Sequence, residues 1–269
     1  MQKIEGFAPA KVNLTLHVTG QRRDGYHLLD SLVVFADVGD RLTCRLGETS
    51  LAVSGPMGQG VPVGPSNLVL RAAELMDQPA TFTLEKHLPA AAGIGGGSSD
   101  AAAALRLLAQ LTGEEVPDQG LSLGADLPIC MLGRAGFMRG IGEEVTPVDL
   151  PPLHAVLVNP GVPVSTGAVF GGLASKDNAP MTVLPPDLDA SALISWLAAQ
   201  RNDLEPPAIQ AQPVIADVLQ ALQDSDAILA RMSGSGATCF GLYPDSKKAA
   251  EAASFLARPD WWVRPCVLR

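Results

Sequence analysis

The stretch that most constrains this chain is LPAAAGIGGGSSDAAAA, residues 88–104. Four glycines, Gly93 and residues 95–97, lie within five positions, and glycine lets backbone N–H groups turn inward around an anion because no Cβ blocks the approach. Ser-Ser-Asp follows as a helix-start signal, and residues 101–111 are strong helix formers. A glycine loop that enters a helix N-terminus offers unpaired N–H donors and the positive end of the helix dipole. The stretch therefore predicts a loop that binds the phosphates of a nucleotide.

A flexible turn is the alternative interpretation, because glycine-rich runs often serve only as turns. This run is instead enclosed by apolar sequence, since a strand pattern at 82–86 and Leu88 precede it and an apolar helix follows. The helix pattern places five apolar residues on one face: Ala101, Ala104, Leu105, Leu108 and Leu111. Neither GxxxxGK(S/T) nor GxGxxG occurs, which excludes a Walker loop and the dinucleotide-binding fingerprint.

Composition limits the partners of the protein. The 269 residues are 47% hydrophobic and 17% charged, which suits one large or two modest domains. A net charge of −9 argues against a broad nucleic-acid surface, because such a surface needs a basic stripe. No apolar run approaches the ~18 residues of a membrane span, and the first residues contain no apolar signal core. We therefore expect a soluble, cytoplasmic protein with no nucleic-acid or membrane partner.

The four cysteines support the same compartment. They are scattered through the chain without a CxxC pair: Cys44, Cys130, Cys239 and Cys266. This spacing disfavours a zinc site or a disulfide framework, so we expect small buried side chains in a reducing environment.

A proline-rich segment at 147–152 predicts a boundary between two domains, 1–150 and 151–269. The second domain begins with a strand pattern at 154–159. Its remaining predicted elements are helices at 165–173, 191–200 and 213–223, strands at 227–232 and 239–243, a helix at 247–256 and a strand at 262–268. This order is typical of a ferredoxin-like α+β domain with added helices.

An early segment, KVNLTLHV at 11–18, alternates strictly between polar and apolar residues and predicts a half-buried strand. The preceding Ala-Pro-Ala fixes the entry and puts Lys11 at the start of the strand. The polar face either meets solvent or lines a site. A lysine beside Asn13, in a chain with a phosphate loop, favours the site.

Three further features lie before the glycine loop, and two of them leave alternatives open. Tyr26 and His27 follow a turn, and they either pack beside it or form a stacking and hydrogen-bonding pair for a nucleobase. Ser66 is expected to cap a helix over 67–76. Lys86, at the end of the strand before the glycine loop, is either a surface charge or an anchor near the nucleotide.

Two later features also allow more than one interpretation. Asp126 lies in an otherwise uncharged segment ahead of Pro128, as a helix cap, a functional carboxylate or both. The SGSGA turn at 233–237 is either a tight hairpin or a second anion nest facing the first.

Together these segments resemble the GHMP kinase superfamily, which contains galactose, homoserine, mevalonate and phosphomevalonate kinases. The resemblance spans nearly the whole chain. Its three principal motifs are PAKVNL at 9–14, the glycine loop and MSGSGAT at 232–238. Four more segments narrow the resemblance to one branch of this superfamily. They are RRDGYHLLDS at 22–31, GADLP at 124–128, PGVPVST at 160–166 and NDLEP at 202–206.

The resemblance implies a two-domain α+β fold, with an N-terminal domain like ribosomal protein S5 domain 2 and a ferredoxin-like C-terminal domain. It implies ATP and Mg²⁺ as cofactors. The implied reaction is phosphorylation of the 2-hydroxyl of 4-diphosphocytidyl-2-C-methyl-D-erythritol, in the non-mevalonate pathway to isoprenoid precursors. It leaves the oligomeric state open.

The resemblance also implies site residues. Lys11 and Asp126 would be the catalytic pair, with Asp126 as general base and the lysine charge favouring its ionised form. The residues that would bind the substrate are Asn13, Tyr26, His27, Thr166 and Phe170, with Tyr26 and His27 at the cytosine. Those that would bind the ATP phosphates are Pro89, Ala90, Ala91, Ala92, Gly93, Ile94, Gly95, Gly96, Gly97, Ser98 and Ser99. Those near the adenosine would be Asn67, Leu68 and Lys86.

No dedicated protein cage for Mg²⁺ is expected, because this ion keeps mostly water and phosphate ligands. Ser98 or Ser99 is a possible source of one oxygen, and Asp100 is expected in the first helical turn rather than at a metal. The segment at 112–123 is shorter than usual in this superfamily, which puts an auxiliary helix in doubt.

Overall fold

A computed structural model describes residues 2–269 of the chain. Eleven strands occur in this part of the chain, in the order β1 Ile4–Asn13, β2 His17–Gln21, β3 His27–Leu46, β4 Ser50–Ser54, β5 Ala80–Glu85, β6 Gly136–Gly140, β7 Glu144–Pro147, β8 Leu153–Asn159, β9 Leu229–Met232, β10 Cys239–Tyr243 and β11 Trp262–Leu268. The α-helices are α1 Leu68–Leu75, α2 Gly96–Thr112, α3 Leu127–Leu132, α4 Thr166–Gly171, α5 Ala190–Ala198, α6 Glu205–Ala211, α7 Val214–Asp224 and α8 Ser246–Leu256. A 3-10 helix spans Pro117–Leu123. The fold is α+β, as the sequence predicts, and none of the helices in residues 2–269 has the length and apolarity to cross a membrane.

The chain forms two compact units, and each one is assembled from separate stretches. Among the described residues, the first unit contains 2–11 together with 38–90 and 95–133. The second unit contains 12–37, 91–94 and 134–269. The division of the chain into domains at residue 150 stays a prediction.

The first unit combines three helices with a small sheet. Strand β5 lies between β4, which runs parallel to it, and the later half of β3, which runs antiparallel. Helix α2 packs against both α1 and α3 and buries nine of its residues, four of them consecutive alanines at 101–104. Because small side chains allow close approach on every side, this alanine run suits a helix that is enclosed rather than amphipathic.

The second unit contains the predicted ferredoxin-like domain. Its four strands are antiparallel in the order β11-β8-β10-β9. Helix α7 packs on β9 and β10, and α8 packs on β8 and β11. The core of this unit includes Val156, Val158, Ile215, Leu222 and Leu256, which are all buried. The unit also holds antiparallel strands in the order β2, the first half of β3, β6 and β7.

Three boundaries differ from the sequence predictions. The strand expected over 11–18 is two strands, because β1 ends at Asn13 and β2 begins at His17, and both its polar and apolar faces are buried. Lys11 therefore lies near the end of β1 rather than at the start of a strand. Helix α1 is capped by Asn67, whose side-chain oxygen accepts from Val69 N at 2.9 Å, so the cap expected at Ser66 is wrong.

Helix α2 also begins earlier than Ser-Ser-Asp suggests. It starts at Gly96, with Gly95 in the N-cap position in a left-handed conformation. The two serines therefore lie inside the first turn, where the glycines continue directly into the helix. The sequence patterns also missed the β6–β7 hairpin and α6, whose Glu-Pro-Pro start places two prolines where a first turn tolerates them.

Candidate active site

A lysine and an aspartate form an ion pair within the first unit. The Nζ atom of Lys11 lies 2.9 Å from Oδ2 of Asp126. Lys11 comes from β1, and Asp126 occupies the N-cap position of α3, directly before the Leu-Pro of its first turn. The Asp126 carboxylate makes no hydrogen bond to its own helix, so it occupies the cap position without acting as the cap. The Lys11 side chain is 5% exposed and that of Asp126 is 34% exposed, which leaves the carboxylate as the accessible member.

The aliphatic stem of Lys11 lies against the start of α2. A Cβ built on Gly95 would lie 3.1 Å from the Cβ of Lys11 and 3.2 Å from its Cε. Gly95 also has a φ of +63°, which an L side chain adopts only with strain. Glycine at this position therefore lets Lys11 pass close to the helix N-terminus, where the ammonium adds to the positive end of the helix dipole.

The glycine loop has the backbone of an anion site. Three alternate residues, Ala91, Gly93 and Gly95, have positive φ of 50°, 72° and 63°. Such alternation turns successive N–H groups towards one concave side. The N–H of Ser99 donates to the carbonyl of Gly95 at 2.8 Å, so the N–H groups of residues 96–98 precede the first intrahelical bond of α2.

The two serines of the loop differ in access. Ser99 is buried, and its Oγ lies 3.6 Å from Sγ of Cys130 in α3. Ser98 keeps intermediate exposure. Of the two hydroxyls, only that of Ser98 is open to a ligand.

The SGSGAT turn contacts the part of the glycine loop that belongs to the second unit. Ser233 Oγ donates to the carbonyl of Gly93 at 3.0 Å, and Thr238 N donates to the carbonyl of Ala92 at 3.1 Å. A Cβ on Gly93 would lie 2.7 Å from Gly236 N, and a Cβ on Gly234 would lie 2.9 Å from the carbonyl oxygen of Gly93, so glycine is needed at both 93 and 234 for this approach. The turn joins β9 to β10, as in the hairpin alternative, and it contacts the first loop, while its use as a second anion nest stays a prediction.

Asn202, from the NDLEP segment, holds the same turn. Its side-chain amide donates to the carbonyls of Met232 and Gly234, both at 2.8 Å. Its side-chain oxygen accepts from Leu204 N at 3.0 Å, so all of its polar atoms serve the backbone. Asn202 was absent from the site predictions, although a polar residue before an apolar helix could have indicated an organising amide.

Asn13 is buried beside this turn in the second unit. Its backbone N–H donates to Ser233 Oγ at 3.0 Å, and its side-chain Nδ2 donates to Ser31 Oγ at 2.8 Å. The side-chain Oδ1 of Asn13 is buried and has no hydrogen-bond partner. A buried acceptor without a donor is costly, so this oxygen is suited to a hydroxyl or amine of a bound ligand.

A ring stack in the second unit involves two predicted substrate residues. The rings of His27 and Phe170 lie 4.6 Å apart at 23°. The Nε2 of His27 is buried without a partner, and burial, followed by the charge of Lys176, lowers the pKa of this histidine. Tyr26, which was predicted beside it, is 58% exposed. The Thr166 hydroxyl, at the start of α4, lies 3.0 Å from that of Ser235.

Lys86 is buried in the first unit between two aspartates. Its Nζ donates to Oδ2 of Asp40 and, at 2.8 Å, to Oδ2 of Asp100. All three residues are at most 4% exposed, so the surface-charge alternative for Lys86 is wrong. Burial acts to lower the pKa of Lys86, but attraction to Asp100 and Asp40 outweighs it and raises that pKa. Burial is also the main reason that the pKa of Asp100 is raised to about 7.

The adenosine prediction concerns residues at the start of α1. Asn67 uses its side-chain oxygen as the α1 cap, and its amide donates to the carbonyl of Pro62 at 2.7 Å. Leu68 is the first residue of the helix and is partly buried. Both residues lie in the first unit, as Lys86 does.

A model of the GHMP kinase N-terminal domain matches residues 67–138, and a model of the GHMP kinase C-terminal domain matches residues 188–259. A crystal structure of homoserine kinase from Cytophaga hutchinsonii covers 100% of the chain, with 95% of its own length matched, a TM-score of 0.64 and 19% identity, which is a likeness of fold alone. The class of protein is therefore the GHMP kinases.

Closer relatives define the family within that class. A 4-diphosphocytidyl-2-C-methyl-D-erythritol kinase of Dinoroseobacter shibae is 62% identical over 99% of this chain and 95% of its own. One from Ruegeria pomeroyi is 56% identical over 96% and 97%. A crystal structure of 4-(cytidine 5'-diphospho)-2C-methyl-D-erythritol kinase matches with a TM-score of 0.80 and 36% identity over 98% of this chain and 99% of that one. The chain belongs to the 4-diphosphocytidyl-2-C-methyl-D-erythritol kinase family.

Proposed function

We propose that the protein transfers the γ-phosphoryl group of ATP to the 2-hydroxyl of 4-diphosphocytidyl-2-C-methyl-D-erythritol, a step of the non-mevalonate route to isoprenoid precursors. The observation that carries this proposal is the Lys11–Asp126 pair, whose lysine stem lies against Gly95 at the start of the phosphate-loop helix. A general base and a cation thus stand at a helix N-terminus built for phosphate. The relatives that match over nearly the whole chain bear the name of this reaction's substrate.

Asp126 is the general base in this proposal. Its accessible oxygen takes the proton of the 2-hydroxyl, the freed oxygen attacks the γ-phosphorus, and the bond from that phosphorus to the bridging β-oxygen breaks, releasing ADP. Lys11 neutralises charge that develops on the attacking and transferred oxygens. No covalent enzyme intermediate is needed, because phosphoryl transfer depends mainly on position and charge.

The phosphate loop, residues 89–99, binds the phosphates through its backbone. The N–H groups of residues 96–98 and the helix dipole of α2 supply fixed positive charge without reorganisation. Among residues 2–269 there is no cluster of three or more His, Cys, Asp or Glu that could hold a metal ion. This donor set fits Mg²⁺ only as an ion carried mostly by phosphate and water, with Ser98 as the accessible protein oxygen. When bound, Mg²⁺ neutralises phosphate charge.

His27 and Phe170 are assigned to the cytosine ring, supported by their stacked geometry. A neutral histidine offers one donor and one acceptor, which matches a base edge that presents both kinds of group. The orphaned Oδ1 of Asn13 is assigned to a hydroxyl of the substrate. Tyr26 and Thr166 complete the proposed substrate set.

Asn67, Leu68 and Lys86 are assigned to the adenosine. Since the side-chain polar atoms of Asn67 and Lys86 already have partners, their contribution would come from backbone groups and shape. A domain boundary at residue 150 is supported by the two family matches, which lie on either side of it. A cytoplasmic location is supported by four buried cysteines that are all free thiols.

The test is ADP release from ATP and Mg²⁺, coupled to a spectroscopic readout. The acceptors are 4-diphosphocytidyl-2-C-methyl-D-erythritol, mevalonate, homoserine and galactose. Turnover with the first compound alone is the expected result. Turnover with another acceptor alone would keep the kinase chemistry and reject the substrate, and binding of ATP without any turnover would reject the kinase.

A further inference from the structure

The side chains of Asp40, Lys86 and Asp100, which form a buried cluster, have no direct part in the proposed reaction. The position of this cluster is nevertheless specific, because its members lie on the two sides of the phosphate loop. Lys86 follows β5 and leads into the loop, and Asp100 is the fifth residue of α2, which leads out of it. Asp40 comes from β3 and lies 46 positions before Lys86 in the sequence.

One ammonium holds both sides. Lys86 Nζ donates to Asp100 on the exit side and to Asp40, and the second oxygen of Asp40 accepts the backbone N–H groups of His87 at 2.6 Å and Leu88 at 2.9 Å on the entry side. A Cβ on Gly96 would lie 3.5 Å from Lys86 Nζ, so the ammonium lies directly under the first residue of α2. The entry and exit of the loop are thereby tied to one point.

The ion pairs of Lys86 with Asp40 and Asp100 resist separation more than ion pairs on the surface do, because all three side chains are buried. Exposed ion pairs contribute little, whereas a buried pair with its hydrogen bonds made resists separation. Two of the three N–H donors of Lys86 go to carboxylates, so the ammonium is engaged with protein rather than left free for a ligand.

We propose that Asp40, Lys86 and Asp100 are positioning residues that hold the phosphate loop in its binding conformation before the nucleotide arrives. The inference rests on the proposed ATP site. A loop ordered in advance binds more tightly because less conformational entropy is lost on binding. The effect belongs to the phosphates, so it is absent for a ligand that has none.

Asp100→Ala is the sharpest test, because it removes the exit tie and leaves a balanced Asp40–Lys86 pair. Removing the Asp100 carboxylate can by itself only strengthen the binding of an anion or leave it unchanged, because any charge it carries is negative. A fall in ADP affinity therefore runs against the direct charge effect and reports the loop. We expect ADP affinity to fall about fivefold while adenosine affinity stays unchanged.

Amide hydrogen exchange gives the second readout. Peptides covering residues 88–97 are expected to exchange about tenfold faster in Asp100→Ala, with peptides over α7 unchanged. Asp149→Ala, at a fully exposed aspartate, is the matched control for loss of a charge. If Asp100→Ala does not fold, Asp100→Asn, which keeps the shape, takes the same measurements.

Unchanged exchange and unchanged ADP affinity would overturn the proposal. So would faster exchange throughout the protein, since that describes a general structural role. An equal loss of adenosine and ADP affinity would overturn it as well, by making the side chains of the cluster part of the adenosine site. Failure of the wild-type protein to bind ADP would instead reject the proposed function.

Discussion

Lys11 Nζ lies 2.9 Å from Asp126 Oδ2, and only the carboxylate of this pair is open to a ligand. The pair joins β1 to the start of α3, two elements separated by 115 positions in sequence. A lysine that is buried along its stem holds its ammonium in one place, so the accessible carboxylate has a fixed orientation.

Asp126→Asn is expected to lower kcat by at least ~100-fold, because the amide keeps the shape and loses the proton acceptor. The measurement is steady-state ADP release, with circular dichroism to show that the fold is intact. Asp149→Asn, on an exposed loop, serves as the control and should leave kcat unchanged. A near-normal kcat in Asp126→Asn would remove the aspartate from the role of general base.

Gly95→Ala is expected to destabilise the protein by about 1–3 kcal/mol, because a non-glycine residue at a φ of +63° is strained and its Cβ crowds the Lys11 stem. Gly97→Ala is the matched control two residues on. Gly97 lies inside α2, and a Cβ on it would come no closer than 3.7 Å to the side chain of Leu68. The Gly97→Ala variant should therefore be neutral or stabilise the protein by up to about 1 kcal/mol. Urea unfolding of both variants checks the difference, and equal stabilities would contradict it.

Ser233→Ala is expected to cost about 1–3 kcal/mol, since the variant leaves the carbonyl of Gly93 and the N–H of Asn13 without their buried partner. Ser254→Ala, at an exposed helical serine, is the control and should stay within about 0.5 kcal/mol of the wild type. Denaturant titration gives both values. A loss no larger than that of the control would show that the turn does not depend on this hydroxyl.

The sequence predicted features that depend on local pattern. The ferredoxin-like succession of strands and helices along the chain was predicted from local patterns of apolar residues, and the glycine loop was predicted from its composition. The break between β1 and β2 was missed because strict alternation continues through residues 14–16, where the backbone nevertheless leaves the sheet. Burial of both faces of this segment comes from packing that no local pattern contains.

The site shows the same limit. Lys11 and Asp126 could be paired only through the resemblance, since nothing in the neighbourhood of either residue points to the other. Asp40 was missed entirely, because Asp37 and Arg41 lie close to it in sequence and nothing in this charged stretch marks one carboxylate as buried. Its partner, Lys86, was noted for its place before the loop, and its burial was visible only in three dimensions.

His17 is expected to make the stability of the protein fall in acid. It is buried in the second unit, where its Nε2 accepts from Arg201 N at 3.2 Å and its Nδ1 lies 3.2 Å from the carbonyl of Ala179. A neutral ring with the proton on Nδ1 satisfies both contacts, whereas a protonated ring would place a donor against Arg201 N. Burial, followed by the charge of Arg201, lowers the pKa of His17, against smaller opposing effects of the Ala179 carbonyl, Asp203 and Asp30.

The sign of the pH effect follows from the lowered pKa. The unfolded chain takes up the proton near pH 6.5 and the folded protein only at lower pH, so the contribution of His17 is present above pH 6.5 and is lost as the pH falls through the folded value. Urea unfolding at a series of pH values between about 7.5 and 5.5, for the wild type and for His17→Gln, measures this contribution as the difference between the two curves. Glutamine can donate and accept without titrating, so its curve should fall less steeply. Parallel curves would mean that His17 has the same proton affinity in the folded and unfolded chains.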